Sequence, residues 1–126
     1  MKTAHDLVTE AKLLIQEIAM QDAEAAIAGA DILLDVREPD EYAAGHLTGA
    51  VLIPRGLLEF KLSATPALSD RGLTTVIYCK TSGRAALAAQ TMKMMGYQNV
   101  CSIAGGIDAW QLAGKPIVIP EQPAFD

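Results

Sequence analysis

The chain has 126 residues and a formal net charge of −5 at pH 7, and 51% of its residues are hydrophobic while only 5% are aromatic. This length fits one domain with one core. The acidic balance argues against a nucleic-acid surface. The start of the chain does not resemble a secretion signal, and no apolar run suits a membrane span. Cys79 and Cys101 form no C-x-x-C pair and make a poor zinc set with two histidines, so we expect a cytoplasmic protein without metal or cofactor.

The first part of the chain predicts two helices and two strands. Apolar residues recur at helical spacing through residues 4–15. This N-terminal helix either packs on its own domain or docks a partner or a second subunit, which would make a homodimer. A short edge strand is possible over residues 16–19, and Asp22 can cap a second helix that runs to Ala28. A buried strand follows over residues 32–36.

The rest of the chain alternates strands with helices. We expect strands at 50–53, 74–78 and 99–103 and helices at 38–42, 55–62, 84–95 and 107–112. In the helix at 84–95, one side carries Leu87, Thr91, Met94 and Met95, and we expect its methionines to fill the core. The tail from residue 117 would lie loosely on the surface. This alternation indicates an α/β fold with a parallel sheet and right-handed crossovers.

The most informative stretch joins the strand at 74–78 to the following helix. Cys79 stands where the strand ends and Arg84 where the helix begins, with Gly83 available to supply a positive φ in the turn. Helix-start amides have no intrahelical partner, and the helix dipole adds positive potential. Together with Lys80 and Arg84 they would stabilise a thiolate on Cys79 or an anion attached to it.

Four blocks together resemble the single-domain rhodaneses, a family of sulfurtransferases, over roughly residues 16–118. The blocks are Asp35-Val36-Arg37-Glu38 with Glu41-Tyr42; Gly45-His46-Leu47 with Gly49-Ala50 and Ile53-Pro54; Tyr78-Cys79 through Arg84; and Ala104-Gly105-Gly106 with Ala109-Trp110 and Gly114-Lys115-Pro116. The resemblance implies a five-stranded parallel sheet with helices on both faces. It also implies one domain over 1–126, with a core at about 16–118, an N-terminal helix at 1–15 and a tail at 119–126.

The resemblance further implies that Cys79 takes a sulfane sulfur from a donor such as thiosulfate and passes it to cyanide or a thiol. The amides of the loop residues would hold the persulfide; these residues are Lys80, Thr81, Ser82, Gly83 and Arg84. Related cell-cycle phosphatases have one more residue between cysteine and arginine, and the shorter loop here suits one added sulfur. Alternatives are a partner-dependent sulfur carrier, a non-catalytic binding module, and a phosphatase or arsenate reductase.

Several side chains near the loop carry two interpretations each. Lys80 either contacts the donor or is a solvated surface lysine, and Arg84 either stabilises the thiolate or pairs with a carboxylate behind the loop. Asp35 and Arg37 would form an internal pair that positions loops, although Arg37 could pair instead with Glu41. Two further interpretations concern residues outside the loop: His46 is a general base or a structural residue, and Cys101 is a resolving thiol or a buried structural cysteine.

Overall fold

Five parallel strands form the sheet of this protein, in the order β1-β5-β4-β2-β3, as the computed structural model shows for residues 1–121. The part of the predicted tail at 122–126 lies outside the described residues. The strands are β1 (Gln16–Ile18), β2 (Ile32–Asp35), β3 (Val51–Leu52), β4 (Thr74–Tyr78) and β5 (Asn99–Ile103). The helices are α1 (Ala4–Leu14), α2 (Met20–Ala28), α3 (Pro39–Ala43), α4 (Leu58–Ala64), α5 (Gly83–Met94) and α6 (Gly106–Leu112).

The central strand β4 divides the core into two layers. Its aliphatic and aromatic residues are buried because helices cover both faces of the sheet, as is usual for parallel sheets. Successive side chains alternate between the faces: Val76 and Tyr78 join one cluster of buried residues, and Ile77 and Cys79 join the other. The predicted α/β sheet is confirmed, and Cys79 lies on the face that α5 covers.

Helix α1 packs against α5 of its own chain. Thr3 and Asp6 form a capping box at its start, and Ala11 is fully buried. Lys93 donates from its Nζ to the carbonyl of Leu14, 2.7 Å away, at the other end of the helix. The structure therefore gives this helix a place on its own domain, and a homodimer through it stays a prediction.

Two local predictions about caps and turns are wrong. Ala19, not Asp22, is the N-cap of α2, because the helix begins directly after β1 ends; Asp22 lies in its first turn, where a carboxylate still complements the helix dipole. Gly83 does not adopt a positive φ. The turn before α5 is made instead by Ser82, which has φ −153° and ψ −14°.

The expected core face of α5 is wrong in part: Met95 packs partly buried against the cluster that contains Cys79, but the fully buried residues lie on a different side of the helix. The buried residues are four alanines and one methionine: Ala85, Ala86, Ala88, Ala89 and Met92. Met94, predicted to fill the core, is 80% exposed. Small side chains let the helix approach the sheet closely, and this turns the longer side chains at 87, 91 and 94 away from the centre of the core.

The first residues of the tail are fixed rather than loose. Val118 and His46 form an antiparallel bridge in which each backbone N–H donates to the other's carbonyl, at 2.8 and 2.9 Å. Trp110 donates from Nε1 to the carbonyl of Pro116, 2.8 Å away. The sequence prediction missed this because a single bridge leaves no alternating pattern.

Among the described residues, no helix has both the length and the apolar character that crossing a membrane requires.

Candidate active site

Cys79 lies directly after β4, at the carboxyl edge of the sheet, where parallel α/β folds place their ligands. The residue is only 1% exposed. Its Sγ accepts a hydrogen bond from the backbone N–H of Ala85, 3.3 Å away. Ala85 is the third residue of α5, so the sulfur occupies the position of a helix cap.

The N-terminus of α5 has no side-chain cap of its own. Ser82 is the N-cap residue, but its hydroxyl makes no hydrogen bond to the first turn. A serine at this position commonly accepts from the N–H three residues on, which here belongs to Ala85. The N–H of Ala85 donates to the Cys79 sulfur instead. The positive end of the helix dipole therefore lies beside Cys79.

Helix α6 orients the peptide groups of the loop. A Cβ placed on Gly106 would lie 2.4 Å from the carbonyl oxygens of Cys79 and Thr81 and 2.6 Å from that of Lys80. The N–H groups of Ile107 and Asp108 donate to the carbonyls of Cys79 and Lys80, at 2.9 and 3.1 Å. In a trans peptide the N–H points opposite to its carbonyl. The N–H groups of residues 80, 81 and 82 therefore point away from α6.

Arg84 is held by a carboxylate. Its Nη1 and Nη2 donate to the two carboxylate oxygens of Glu41, at 2.6 and 3.0 Å. This bidentate hydrogen bonding lowers the pKa of Glu41 to about 2, and the same bonds raise the pKa of Arg84. Of the two interpretations of Arg84, the structure favours pairing with a carboxylate. The alternative Arg37–Glu41 pair is wrong, because Glu41 turns toward the Cys79 loop.

Asp35 and Arg37 form the predicted internal pair. Asp35 is fully buried and Arg37 is 5% exposed, and Nη2 of Arg37 lies 2.8 Å from Oδ2 of Asp35. The same Nη2 donates to the carbonyl of Gly45, also at 2.8 Å. Burial acts to lower the pKa of Arg37, but the hydrogen bonds and charge of Asp35 outweigh it and the pKa is raised. The pair joins the end of β2 to the loop at Gly45.

His46 is bound within its own loop. Its Nδ1 lies 2.8 Å from the carbonyl of Leu47, and its ring stacks on Tyr42 with centroids 3.9 Å apart. The backbone N–H of Leu47 donates to the hydroxyl of buried Tyr78, 3.1 Å away, and burial raises the pKa of that phenol. These contacts support the structural interpretation of His46 over the general base.

Lys80 belongs to the Cys79 loop, and Lys12 contacts that loop from α1. Lys80 donates to Asp108, with 2.7 Å between Nζ and Oδ2, and both side chains are exposed. They border a cleft of about 230 Å³ that Arg37, Glu41 and Ile117 also line. Lys12, on α1, donates from Nζ to Oγ of Ser82 at 2.8 Å. Sequence reasoning missed this second contact.

Cys101 belongs to the other side of the sheet. It packs against the cluster on the face opposite Cys79, and burial raises the pKa of its thiol. Its register partner on β4 is Val76, three residues before Cys79, which corresponds to roughly 10 Å along the strand. A disulfide needs Cα atoms within about 7 Å. Cys101 is therefore not placed to resolve a species on Cys79.

In the part of the chain that the structure describes, no three histidine, cysteine or acidic side chains cluster as metal ligands. The site instead combines a buried cysteine, an uncapped helix terminus and an oriented peptide loop at the edge of a parallel sheet. Because N–H groups at a helix start attract anions, this combination is typical of α/β proteins with an anion site at a helix N-terminus, here beside a cysteine.

Comparison with known proteins identifies the family within this class. The family model of the rhodanese-like domain matches residues 19–113, so the chain belongs to the rhodanese-like family. It is 34% identical over 110 residues to a sulfurtransferase of Allochromatium vinosum, which covers 86% of this chain and 99% of that protein. The recognition of the family from sequence is confirmed. Other curated relatives are longer, and the chain spans 56% of the length of one and 22% of another.

Solved structures with more than 30% identity share the fold, among them two that cover most of this chain. A protein of unknown function from Rhodopseudomonas palustris, described as a possible tyrosine phosphatase, has a TM-score of 0.84 and 31% identity, covering 94% of this chain and 96% of its own. The polysulfide-sulfur transferase homodimer of Wolinella succinogenes has a TM-score of 0.74 and 33% identity, covering 89% and 84%. Both similarities support the α/β fold, and the second is a similarity to a sulfur transferase.

Proposed function

We propose that the chain transfers sulfane sulfur through a persulfide on Cys79. The thiolate attacks the outer sulfur of a donor such as thiosulfate, the sulfur–sulfur bond breaks, and sulfite leaves with the electron pair. A thiolate or cyanide then attacks the outer sulfur, and Cys79 leaves as the thiolate. The observation that carries this proposal is the hydrogen bond from Ala85 to Sγ at the uncapped start of α5.

The peptide loop supplies the electrostatic part of the proposed mechanism. The N–H groups of Lys80, Thr81 and Ser82 point away from α6, and those of Gly83 and Arg84 belong to the open first turn of α5. Preorganised amides stabilise charge that develops on a nearby atom without having to reorganise. They would hold the outer sulfur of the persulfide. Lys80 would attract an anionic donor, while Asp35, Arg37 and Glu41 keep the surrounding loops in place.

Near-complete burial of Cys79 favours sulfur transfer over phosphate-ester hydrolysis. With only 1% of the residue exposed, a narrow terminal sulfur suits the approach to Sγ better than a tetrahedral phosphate does. Both terminal nitrogens of Arg84 are engaged by Glu41 rather than directed to a free oxyanion. The description of the R. palustris neighbour keeps phosphatase activity as the second candidate. Release of phosphate from an aryl phosphate ester, abolished by Cys79→Ser, would establish it.

The proposed setting is a cytoplasmic, single-domain protein over residues 1–126 with a small-molecule or protein acceptor. A partner-dependent carrier would use the same persulfide and differ only in its acceptor. Production of thiocyanate from thiosulfate and cyanide separates the two, because a dedicated carrier accepts sulfur but turns over slowly without its partner protein.

The test of the central step is intact-mass measurement after exposure to thiosulfate and to polysulfide. We expect one added sulfur on the wild type and on the matched Cys101→Ser variant, and none on Cys79→Ser. The melting temperature of Cys79→Ser should stay close to that of the wild type. Loading of Cys79→Ser with sulfur at the wild-type rate would refute the assignment of Cys79.

A further inference from the structure

Lys12 lies outside the part of the chain that the family model matches, which begins at residue 19. It is carried by α1, whose Val8 side chain lies 3.5 Å from the position that a Cβ on Gly83 would occupy. The face of α1 that bears Val8 and Lys12 therefore packs on the start of α5. The Nζ of Lys12 lies 2.8 Å from Oγ of Ser82 and 3.6 Å from Oε2 of Glu17.

Two acceptors compete for one N–H at this point. A serine N-cap accepts from the third residue of its helix, and for Ser82 that donor is the N–H of Ala85. In the structure this N–H donates to Sγ of Cys79 instead, and the Ser82 side chain makes no capping hydrogen bond. The Nζ of Lys12 donates to the Ser82 hydroxyl oxygen at 2.8 Å, which places that oxygen beside α1.

We propose that Lys12 is a positioning residue that keeps the Ser82 hydroxyl off the cap position, so that the N–H of Ala85 remains available to the Cys79 sulfur. The added N-terminal helix thereby tunes the sulfur-bearing loop without contacting the sulfur. This inference rests on the proposed sulfur transfer for its kinetic readout. Its structural readout is independent of any transfer activity.

The kinetic test is a double-mutant cycle between positions 12 and 82. Lys12→Met is made in the wild type and in Ser82→Ala, and single-turnover loading of sulfur from thiosulfate is followed by intact mass. We expect Lys12→Met to slow loading about tenfold when Ser82 is present, because a hydrogen bond to a charged group is lost. In the Ser82→Ala background, which offers no competing oxygen, the same change should alter the rate less than about twofold.

The controls separate positioning from charge and from docking of the helix. Lys2→Met removes a positive charge just before the start of α1, at a residue that pairs with Glu10 within that helix, and it should not affect loading. Lys12→Arg retains a donor and should restore most of the rate. An equal slowing by Lys12→Met in both backgrounds would overturn the proposal and assign Lys12 a direct electrostatic role. No slowing in either background would also overturn it.

The structural readout is the amide proton shift of Ala85 in the reduced protein, measured by NMR. Lys12→Met should move this resonance when Ser82 is present and leave it unchanged between Ser82→Ala and the double variant. If the wild type takes up no sulfur, the sulfurtransferase proposal fails while this shift still decides the role of Lys12. An Ala85 resonance that ignores Lys12→Met in both backgrounds would exclude the competition.

Discussion

Gly106 has no side chain, which lets α6 approach the backbone of the Cys79 loop closely. The substitution Gly106→Ala tests whether this close approach orients the loop. The added Cβ would meet three carbonyl oxygens of the loop at 2.4 to 2.6 Å. These are backbone atoms, so no flexible side chain can move aside. Gly106 also has φ +58°, which alanine adopts at a cost of about 1 to 2 kcal/mol.

The expected loss of stability follows from these two terms. Overpacking of a well-packed site costs about 1 to 3 kcal/mol, which with the backbone term gives about 2 to 5 kcal/mol. Domains of this kind have total stabilities of about 5 to 15 kcal/mol, so most molecules should remain folded. Those molecules should take up sulfur at least about tenfold more slowly, because the loop carbonyls and the opposed N–H groups are displaced.

The matched control is Gly114→Ala, at the other end of α6. Gly114 has φ +76°, and a Cβ there would meet no atom within 4 Å. The Gly114→Ala variant should lose only about 1 to 2 kcal/mol of stability, from the positive φ, and should retain sulfur loading. Urea unfolding and intact-mass loading measure both effects. Equal destabilisation of the two variants, or normal loading by Gly106→Ala, would refute the argument that the close approach of α6 orients the loop.

Two further predictions concern the ion pair at the loop and the buried face of α5. Because the pKa of Glu41 is lowered, its ion pair with Arg84 stabilises the folded state fully above about pH 4.5. This stabilisation disappears as the pH falls toward about 2. Acid should therefore destabilise the wild type by about 1 kcal/mol more than Glu41→Gln across that range, measured by urea unfolding, because the pair is partly exposed to solvent and screened. Identical pH profiles would contradict the role of the pair. Met92→Ala should cost about 2 to 5 kcal/mol, whereas Met94→Ala should change stability by less than about 0.5 kcal/mol. The reverse order in thermal or urea unfolding would mean that α5 buries its other face.

The sheet was predictable because the strand periodicity is local. Runs of aliphatic residues separated by helical segments indicate a parallel α/β fold. The position of Cys79 follows directly, since a residue after a central strand lies at the carboxyl edge. The family blocks then predicted the strand number. None of these inferences required knowledge of which side chains touch.

The pairings of the site were harder to predict because they join distant parts of the chain. Arg84 and Glu41 are 43 residues apart, and Lys12 and Ser82 are 70 apart. A signal existed for the first pair, because Glu41 and Arg84 follow strands β2 and β4, which are neighbours in the sheet. No comparable signal relates Lys12 to Ser82, since α1 belongs to no repeating strand–helix unit.

The prediction of which side of α5 is buried was partly wrong, for a different reason. Its sequence carries apolar residues on more than one side, so spacing alone does not select the buried side. Alanines at 85, 86, 88 and 89 contribute little to a hydropathy pattern, yet they form the contact surface because the sheet is close. Close packing of small residues decides the rotation of this helix, and that is a tertiary property.

The sheet also separates the only two thiols of this chain. Cys79 and Cys101 face opposite layers and are offset along neighbouring strands, so oxidation cannot close an internal ring between them. Under the proposed mechanism, Cys101 cannot take over the outer sulfur of a persulfide on Cys79, so a different acceptor would have to receive it. The lifetime of the proposed persulfide should then shorten as the concentration of that acceptor rises.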